Sequence, residues 1–439
     1  MDQESARLSL DLEALLPFAR HLVKGPSVRR SLPAGYGIRA GEKVLVAVDS
    51  WQDPLLVQAI VQAIREEGAT ADLVTMDMGP DRELDEHDEI RTFMGNTPWG
   101  KEPMEPPTWR TDIEAFTEKM GYHLLIRGLG GPTPKTNFRY EGIPWISREI
   151  FASQAVTFPY DLWGLLQKKS WDTIWKNARG GRVRVTDPEG TDYSFTFLEE
   201  HFDKPRYGFT SEPFWGHLHG HPLPPYSGGE DAAGVVAGTL NHWGRPFSHI
   251  KVHVEKGQVQ RVEGGGKYGE AWRQLLEATK NITYPDYPRS GLFWLWETAI
   301  GTNPKFFRPY NVLNRSRGTV YERLRSGIIH VGFGTRILSP SEDWAREKGV
   351  SFGHIHVHLN FATYELTTKS GQKFKIIDRG HLTSLDDPEV IALAKKFGDP
   401  KELLKEAWIP QVPGISSEGD YWKDYAPNPA AWIKAHEAR

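Results

Sequence analysis

The stretch GHIHVHL, residues 353–359, sets an imidazole at every second position and an aliphatic side chain in each gap. Successive side chains of a strand point to opposite faces, so on a strand His354, His356 and His358 share one face while Ile355, Val357 and Leu359 share the other. The aliphatic face calls for burial, and a row of imidazoles offers lone pairs to a transition metal or a group that titrates near neutrality. The alternation therefore predicts a core strand with a metal-binding face. A hydrogen-bonded rim is the other arrangement it allows.

Further donors lie upstream. His330 ends an apolar run and meets Gly332 and Gly334, which permit close backbone approach. Glu297 is a single carboxylate in FWLWETAIG, where ionisation requires a metal or a cation such as Arg308 or Arg315. In FWGHLHGHP, His217, His219 and His221 again alternate, although the glycines and proline favour a surface loop. The chain has no cysteine, so thiolate ligands, disulfides and a thiol nucleophile are excluded. Imidazoles and carboxylates suit zinc, iron, manganese or copper. Two or three histidines with one carboxylate fit a single iron that activates dioxygen, and two metals sharing carboxylates fit hydrolysis. Ligand types alone leave both open.

The elements that must position these residues fall into two textures. KVLVAVDS (43–50), ADLVTMDM (71–78) and YHLLIRGLG (122–130) read as strands around a helix whose apolar stripe is Leu55, Val57, Ile60, Val61 and Ile64, with Asp53 at its start and Gly68 at its end. This order predicts an α/β domain with parallel strands over 1–175. The stretch 80–108, rich in proline, charge and tryptophan, reads as a surface insertion, and GLGGPTP (128–134) as a turn, since the spacing of a dinucleotide fingerprint is missing. From 181 to 400 the sequence turns to hairpins, RVRVTDPEGTDYSF and HIKVHVEKGQVQRVEGG among them, with a helix near 268–280 interposed. This predicts a β-rich α+β domain carrying the metal. The remainder, 401–439, reads as a tail packed on the surface or on a neighbouring subunit. A length of 439 residues exceeds one ordinary core, and a net charge of −4 without a basic stripe gives no support to a nucleic-acid partner. No apolar run is long enough to span a bilayer, and the acidic amphipathic start lacks the features of a signal peptide, so the cytoplasm is the default expectation.

Taken together, the order RVRVTDPEGTDYSF, IKVHVEKGQVQRVEGG, ETAIGTNPKF, HVGFG and HIH resembles the thermophilic-type aminopeptidase superfamily (aminopeptidases T and S). It equally resembles a relative that is not a peptidase, 2,5-dihydroxypyridine 5,6-dioxygenase. The resemblance covers about 181 to 382 best and implies an aminopeptidase T/S-like fold and a homodimer or larger homo-oligomer. Carried over residue by residue, it implies metal ligands at Glu297, His330, His354 and His356, with His356 standing where the family has aspartate. The family's first glutamate falls on His217, or alternatively on Glu230. Both departures remove negative charge and weaken the case for two bridged zinc ions, while the HVGFG turn is closer to the dioxygenase. The resemblance thus implies one divalent ion, iron(II), with zinc, manganese or two ions as alternatives. The expected reaction is cleavage of a small hydroxylated aromatic ring by dioxygen, and the alternative is a metal-dependent aminopeptidase-like hydrolase or amidohydrolase. For the ring, Trp215, Trp243, Trp294, Trp296 and Phe333 are candidate pocket walls, with His358 or His219 as acid or base. In the hydrolytic reading Glu230 takes the proton of water.

Overall fold

The computed structural model describes residues 10–27, 35–50, 52–77, 89–90, 94–99, 109–128, 136–143, 147–205, 209–212, 216, 218–221, 230–242, 244–308, 322–335 and 340–436. In its first part lie β1 (Lys43–Asp49), β2 (Thr70–Met76), β3 (Met94–Gly95), β4 (Leu124–Gly128) and β5 (Arg139–Ile143). Four of these form a wholly parallel sheet in the order β2-β1-β4-β5. The expected helix spans Pro54–Glu66: the Asp53 side chain accepts from the amides of Leu55 (3.0 Å) and Leu56 (3.4 Å), and Gly68 follows its end at φ 77°.

The second part is antiparallel. It contains β6 (Arg182–Asp187), β7 (Thr191–Thr196), β8 (Leu218–His219), β9 (Ala233–Leu240), β10 (Pro246–Glu255), β11 (Gln258–Gly264), β12 (Leu295–Ile300), β13 (Ile329–Gly334), β14 (Phe352–Leu359), β15 (Thr363–Thr367), β16 (Lys373–Asp378) and β17 (His381–Leu382). Eight of them make one sheet, β11-β10-β9-β7-β6-β15-β16-β17. The other sheet is β3-β14-β13-β12-β8, so a short strand from the first part is paired to the edge of the second. The chain is thus an α/β region with a parallel sheet followed by a β-rich antiparallel region. No helix among the described residues is long and apolar enough to cross a membrane.

The five-stranded sheet positions the site. Its register aligns Thr298, Val331 and Val357 in one row on the back face, with Ile355 beside Phe333 in the next. That face packs on the eight-stranded sheet, where Gly238 makes room: a Cβ there would stand 2.8 Å from Val357 Cγ1. Tyr193 on β7 bonds Thr298 Oγ1 across the layers at 2.8 Å. The tail returns along this body, and Val412, Tyr421, Tyr425 and Ile433 cluster with Leu240 and Phe361.

One expectation needs correction. Within 80–108, read as a surface insertion, Glu89, Ile90 and Met94 are fully buried. Met94 and Gly95 pair with Gly353 and Phe352, and Gly95 lies so tightly on the Phe352 ring that a Cβ would clash with it. Pairing to a strand edge holds Met94 and Gly95 inward.

Ile355 is fully buried behind the imidazole row. We expect Ile355→Ala to lower unfolding stability by about 2–5 kcal/mol in a denaturant titration while the front-face geometry persists. A loss below ~1 kcal/mol would show that the back face is not core.

Candidate metal centre

The front face of the same sheet carries the chemistry because its register stacks polar residues in rows. His219, Ala299, His330 and His358 lie in register across β8, β12, β13 and β14. The adjoining row is Glu297, Gly332 and His356. Small residues fill the centre of each row, which leaves space above them. A Cβ on Gly332 would stand 3.0 Å from both Glu297 Cγ and His356 Cδ2, so glycine is what lets the carboxylate and the ring converge.

The convergence point is Glu297 Oε1. It lies 2.7 Å from His330 Nε2 and 3.5 Å from His356 Nε2. His242, on the turn after β9, places Nδ1 3.1 Å from His330 Nε2. Donors about 2.1 Å from a common ion stand ~3.0 Å apart at octahedral angles and ~3.4 Å apart at tetrahedral ones. The observed separations, 2.7, 3.1 and 3.5 Å, bracket those values, and His242, His330 and His356 form a buried group able to share one ion.

The outer nitrogens are engaged. His330 Nδ1 meets His358 Nε2 at 2.7 Å, and His356 Nδ1 meets Glu89 Oε1 at 2.9 Å. Each ring thereby has a partner behind Nδ1 and presents Nε2 to Glu297, the arrangement that fixes tautomer and aim in metal-ligating histidines. Glu89 does more than face one ring. Its Oε1 accepts from the His356 amide (3.0 Å) and its Oε2 from the His242 amide (3.1 Å), so one carboxylate ties both residues to the edge of β14. Tyr268 donates to the His356 carbonyl at 3.0 Å.

Burial sets the electrostatics. It raises the Glu297 pKa to about 7, against the nearby His219 and Arg323. It raises Glu89 well above the ordinary range, opposed by the N–H of His242, the Tyr268 hydroxyl and the N–H of His356. Burial pushes His242 well down, helped by His356 and Arg323, and brings His354 to about 3. Both imidazoles are therefore neutral at physiological pH, the state in which imidazole ligates metal.

Of the residues singled out from sequence, His330, His356 and Glu297 meet at one point, with His358 directly behind His330. His219 stands beside them, Nε2 3.8 Å from Glu297 Oε2. His354, expected as a ligand, lies outside the donor group: its ring packs edge-on against His356 at 4.7 Å. Phe333 points to the opposite face and packs on Trp272 at 5.4 Å, because it alternates with Gly332 and Gly334. Trp294 is buried against Tyr287 and beneath the Arg289 guanidinium, and Glu230 lies by Gly257 at the β10–β11 turn, so neither is in the donor group. His221 packs edge-on against Phe195 at 4.6 Å. Arg308, one expected partner of Glu297, lies instead over the Trp408 ring. His217, Trp215, Trp243, Arg315 and the side chain of Trp296 are outside the described residues.

Sequence reasoning missed Glu89, His242 and Arg323. Arg323 Nη1 donates to His242 Nε2 at 3.4 Å. A neutral imidazole carries one proton, so while that bond holds, the proton of His242 sits on Nδ1. His242 enters a metal sphere through Nδ1 only if the guanidinium lets go. The core donor set is accordingly His330, His356 and Glu297.

Two outcomes follow from this geometry. Gly332→Ala should abolish stoichiometric metal binding, read by elemental mass spectrometry, because the added methyl occupies the space between two donors; full metal occupancy would place the ion elsewhere. The second concerns pH. The Glu297 pKa of about 7 exceeds the ordinary 4.5, so between these values metal-free folded protein holds a proton that the unfolded chain has released. Stability of the metal-free protein should then fall as pH rises through that window, and metal affinity should rise, since the ion must displace the proton. Glu297→Gln should lose this stability slope in denaturant titrations across the window; an unchanged slope would assign it to other groups.

No family model matches the chain, and no curated protein sequence matches it. Among solved structures, 2,5-dihydroxypyridine dioxygenase from Pseudomonas putida KT2440 is similar at 14% identity and a TM-score of 0.48, covering 87% of this chain and 99% of that one. Wild-type AmpT from Thermus thermophilus is similar at 13% identity and a TM-score of 0.45, covering 84% of this chain and 99% of that one. The likeness concerns the course of the chain, and the residue roles above rest on this chain's own geometry.

Proposed function

We propose that this chain is a mononuclear non-haem metalloenzyme that uses iron(II) and dioxygen to open a small hydroxylated aromatic or heteroaromatic ring. The observation that carries the reading is the convergence of His330 Nε2 and His356 Nε2 on Glu297 Oε1, with each Nδ1 held from behind by His358 and Glu89. Two imidazoles and one carboxylate are the donor set of iron enzymes that leave positions open for substrate and dioxygen. Held by His330, His356 and Glu297, iron(II) would supply a Lewis-acid and redox centre for activating dioxygen towards a substrate hydroxyl.

The protein's own part is positioning and proton handling. Glu89 and His358 keep the two Nε2 lone pairs aimed inward, so little reorganisation is needed when the centre is loaded. Buried aliphatic residues on the same strands, such as Ile355 and Val357, keep the sheet rigid beneath the donors. His219, buried and 3.8 Å from Glu297, is the residue we assign to take the proton of the substrate hydroxyl. Among the described residues the donor set brings a single carboxylate, Glu297, whereas a pair of metals acting on water relies on shared carboxylates. This favours the oxygen-dependent reading over a two-metal hydrolase.

The test is elemental analysis of protein purified without oxygen or chelator, followed by oxygen-electrode assays with dihydroxypyridines, catechols and hydroquinones. We expect about one iron per chain, lost in His330→Ala, and oxygen uptake with at least one of these rings. About two zinc ions per chain, with cleavage of aminoacyl or amide substrates that is unchanged in an oxygen-free box, would replace this reading with the hydrolase.

A further inference from the structure

The helix Gly266–Thr279 packs on β10 and β11, and two of its side chains form a line leading away from the metal centre. The Tyr268 hydroxyl donates to the carbonyl of His356 at 3.0 Å and accepts from its amide at 3.2 Å, so it touches the backbone of a donor residue. One helical turn on, Trp272 shares that face, its ring centroid 6.1 Å from that of Tyr268 in an edge-on arrangement. Trp272 in turn meets Phe333 at 5.4 Å and Phe293 at 5.7 Å. Phe293 lines a surface groove together with Arg273 and Leu276, which follow Trp272 on the same helix. A tyrosine, a tryptophan and a phenylalanine thus lead from the backbone of a donor residue to a groove open to solvent.

The indole in this line differs from others in the molecule. Trp163 Nε1 donates to Thr302 Oγ1 at 2.9 Å, and Trp171 Nε1 to the Thr210 carbonyl at 3.0 Å. Trp294 Nε1 donates to the Gly291 carbonyl at 3.1 Å, and Trp432 Nε1 to the Gln411 carbonyl at 2.8 Å. Trp272 is fully buried, and its Nε1 has no hydrogen-bond partner. A buried N–H without an acceptor costs free energy that phenylalanine, with no polar atom, would not lose. What an indole has and a benzene ring lacks is ease of one-electron oxidation. An N–H with no acceptor suits that use, because the oxidised ring keeps its proton and is restored by the return of an electron alone.

We propose that Trp272 is an electron relay that protects the metal centre: when dioxygen oxidises the centre with no ring bound, one electron passes to it from Trp272 across Tyr268. No bond is made or broken in this step. Trp272 becomes a radical cation that keeps its Nε1 proton, and the centre is reduced by one electron. A soluble one-electron donor of the ascorbate class then returns an electron to Trp272 at the groove that Phe293 lines. The net change is loss of one electron by the donor for each oxidising equivalent removed. The inference rests on the oxygen-using iron reading above and adds a protective function to it.

The test exposes iron-loaded full-length protein to dioxygen without a ring substrate, with and without ascorbate. In wild type we expect a freeze-quenched paramagnetic resonance signal that narrows when the protein carries ring-deuterated tryptophan. Without ascorbate, peptide mass spectrometry should locate oxidation at Trp272, and ascorbate should suppress both the signal and the oxidation. Trp272→Phe should lose the tryptophan signal, lose iron-binding capacity severalfold faster than wild type when ascorbate is present, and gain oxidation at His330 and His356. The assignment is overturned if iron-loaded wild type gives no tryptophan signal, if its oxidation bypasses Trp272, or if iron-free protein is oxidised there equally. It is also overturned if Trp272→Phe keeps its iron as long as wild type does. Should the variant fail to fold, the wild-type signal and the site of oxidation decide the matter. A wild type that binds no iron overturns the metal reading along with this one, whereas bound iron with no tryptophan signal overturns the relay alone.

Discussion

A carboxylate on a central strand, 3% exposed and flanked by apolar residues, is the constraint around which the rest of the site is arranged. Glu297 Oε1 sits 2.7 Å from His330 Nε2. When His330 donates from Nδ1 to His358, these two atoms present lone pairs to each other, and only a proton or a cation between them makes the contact favourable. Burial raises the Glu297 pKa to about 7, which describes the proton-filled form. An ion held there would replace that proton and would reach His356 Nε2 as well. The antiparallel register, the glycine at 332 and the alanine at 299 follow as the means of bringing three side chains from three strands to one point.

The same constraint explains why the two parts of the chain are joined where they are. His356 could not aim Nε2 inward without a partner for Nδ1, and β14 has an edge there whose amide also needs an acceptor. Glu89 meets both needs, with His356 N at 3.0 Å and Nδ1 at 2.9 Å, and it reaches across 267 positions of sequence to do so. The two-residue strand Met94–Gly95, paired to the start of β14, brings that acid into place. A connection between regions thus doubles as the outer support of a ligand.

Much of this was legible in residue types and spacing. Alternation placed the histidines of 354–358 on one strand face, the hairpin turns at Pro188-Glu189-Gly190 and Lys256-Gly257 were readable, and the helix after Asp53 had its cap. Phe333 was also decidable, since alternation with Gly332 and Gly334 puts it on the face opposite His330, and the aromatic label outweighed that parity. His354 shows the limit of a period-two argument: it shares a face with His356, but the point of convergence lies over the rows of His330 and Gly332, one step along the strand. Glu89 could not be chosen among the acids of DRELDEHDEI, because its burial is decided by a strand pairing made far away in sequence. The apolar Ile90, Phe93 and Met94 beside it were the available sign that the segment was not all solvent-facing. His242 carried no local signal, lying alone on a turn whose direction only the sheet determines.

Burial of an acid does not by itself mark a metal site, and this molecule contains the comparison. Glu189, in the β6–β7 turn, is as buried as Glu297. Its Oε1 accepts from Thr239 Oγ1 at 2.9 Å and from Tyr421 Oη at 2.8 Å, the latter from the tail. Those hydroxyls bring their own protons, so Oε1 is satisfied by donors and the acid serves to hold the C-terminal segment against the eight-stranded sheet. Around Glu297 the neighbours are imidazole nitrogens, two of which have their other nitrogen already engaged by His358 and Glu89. Hydroxyl donors close the first environment, while imidazole nitrogens gather in the second. It is the chemistry of the partners, not the depth of the carboxylate, that separates a fastening from a metal centre.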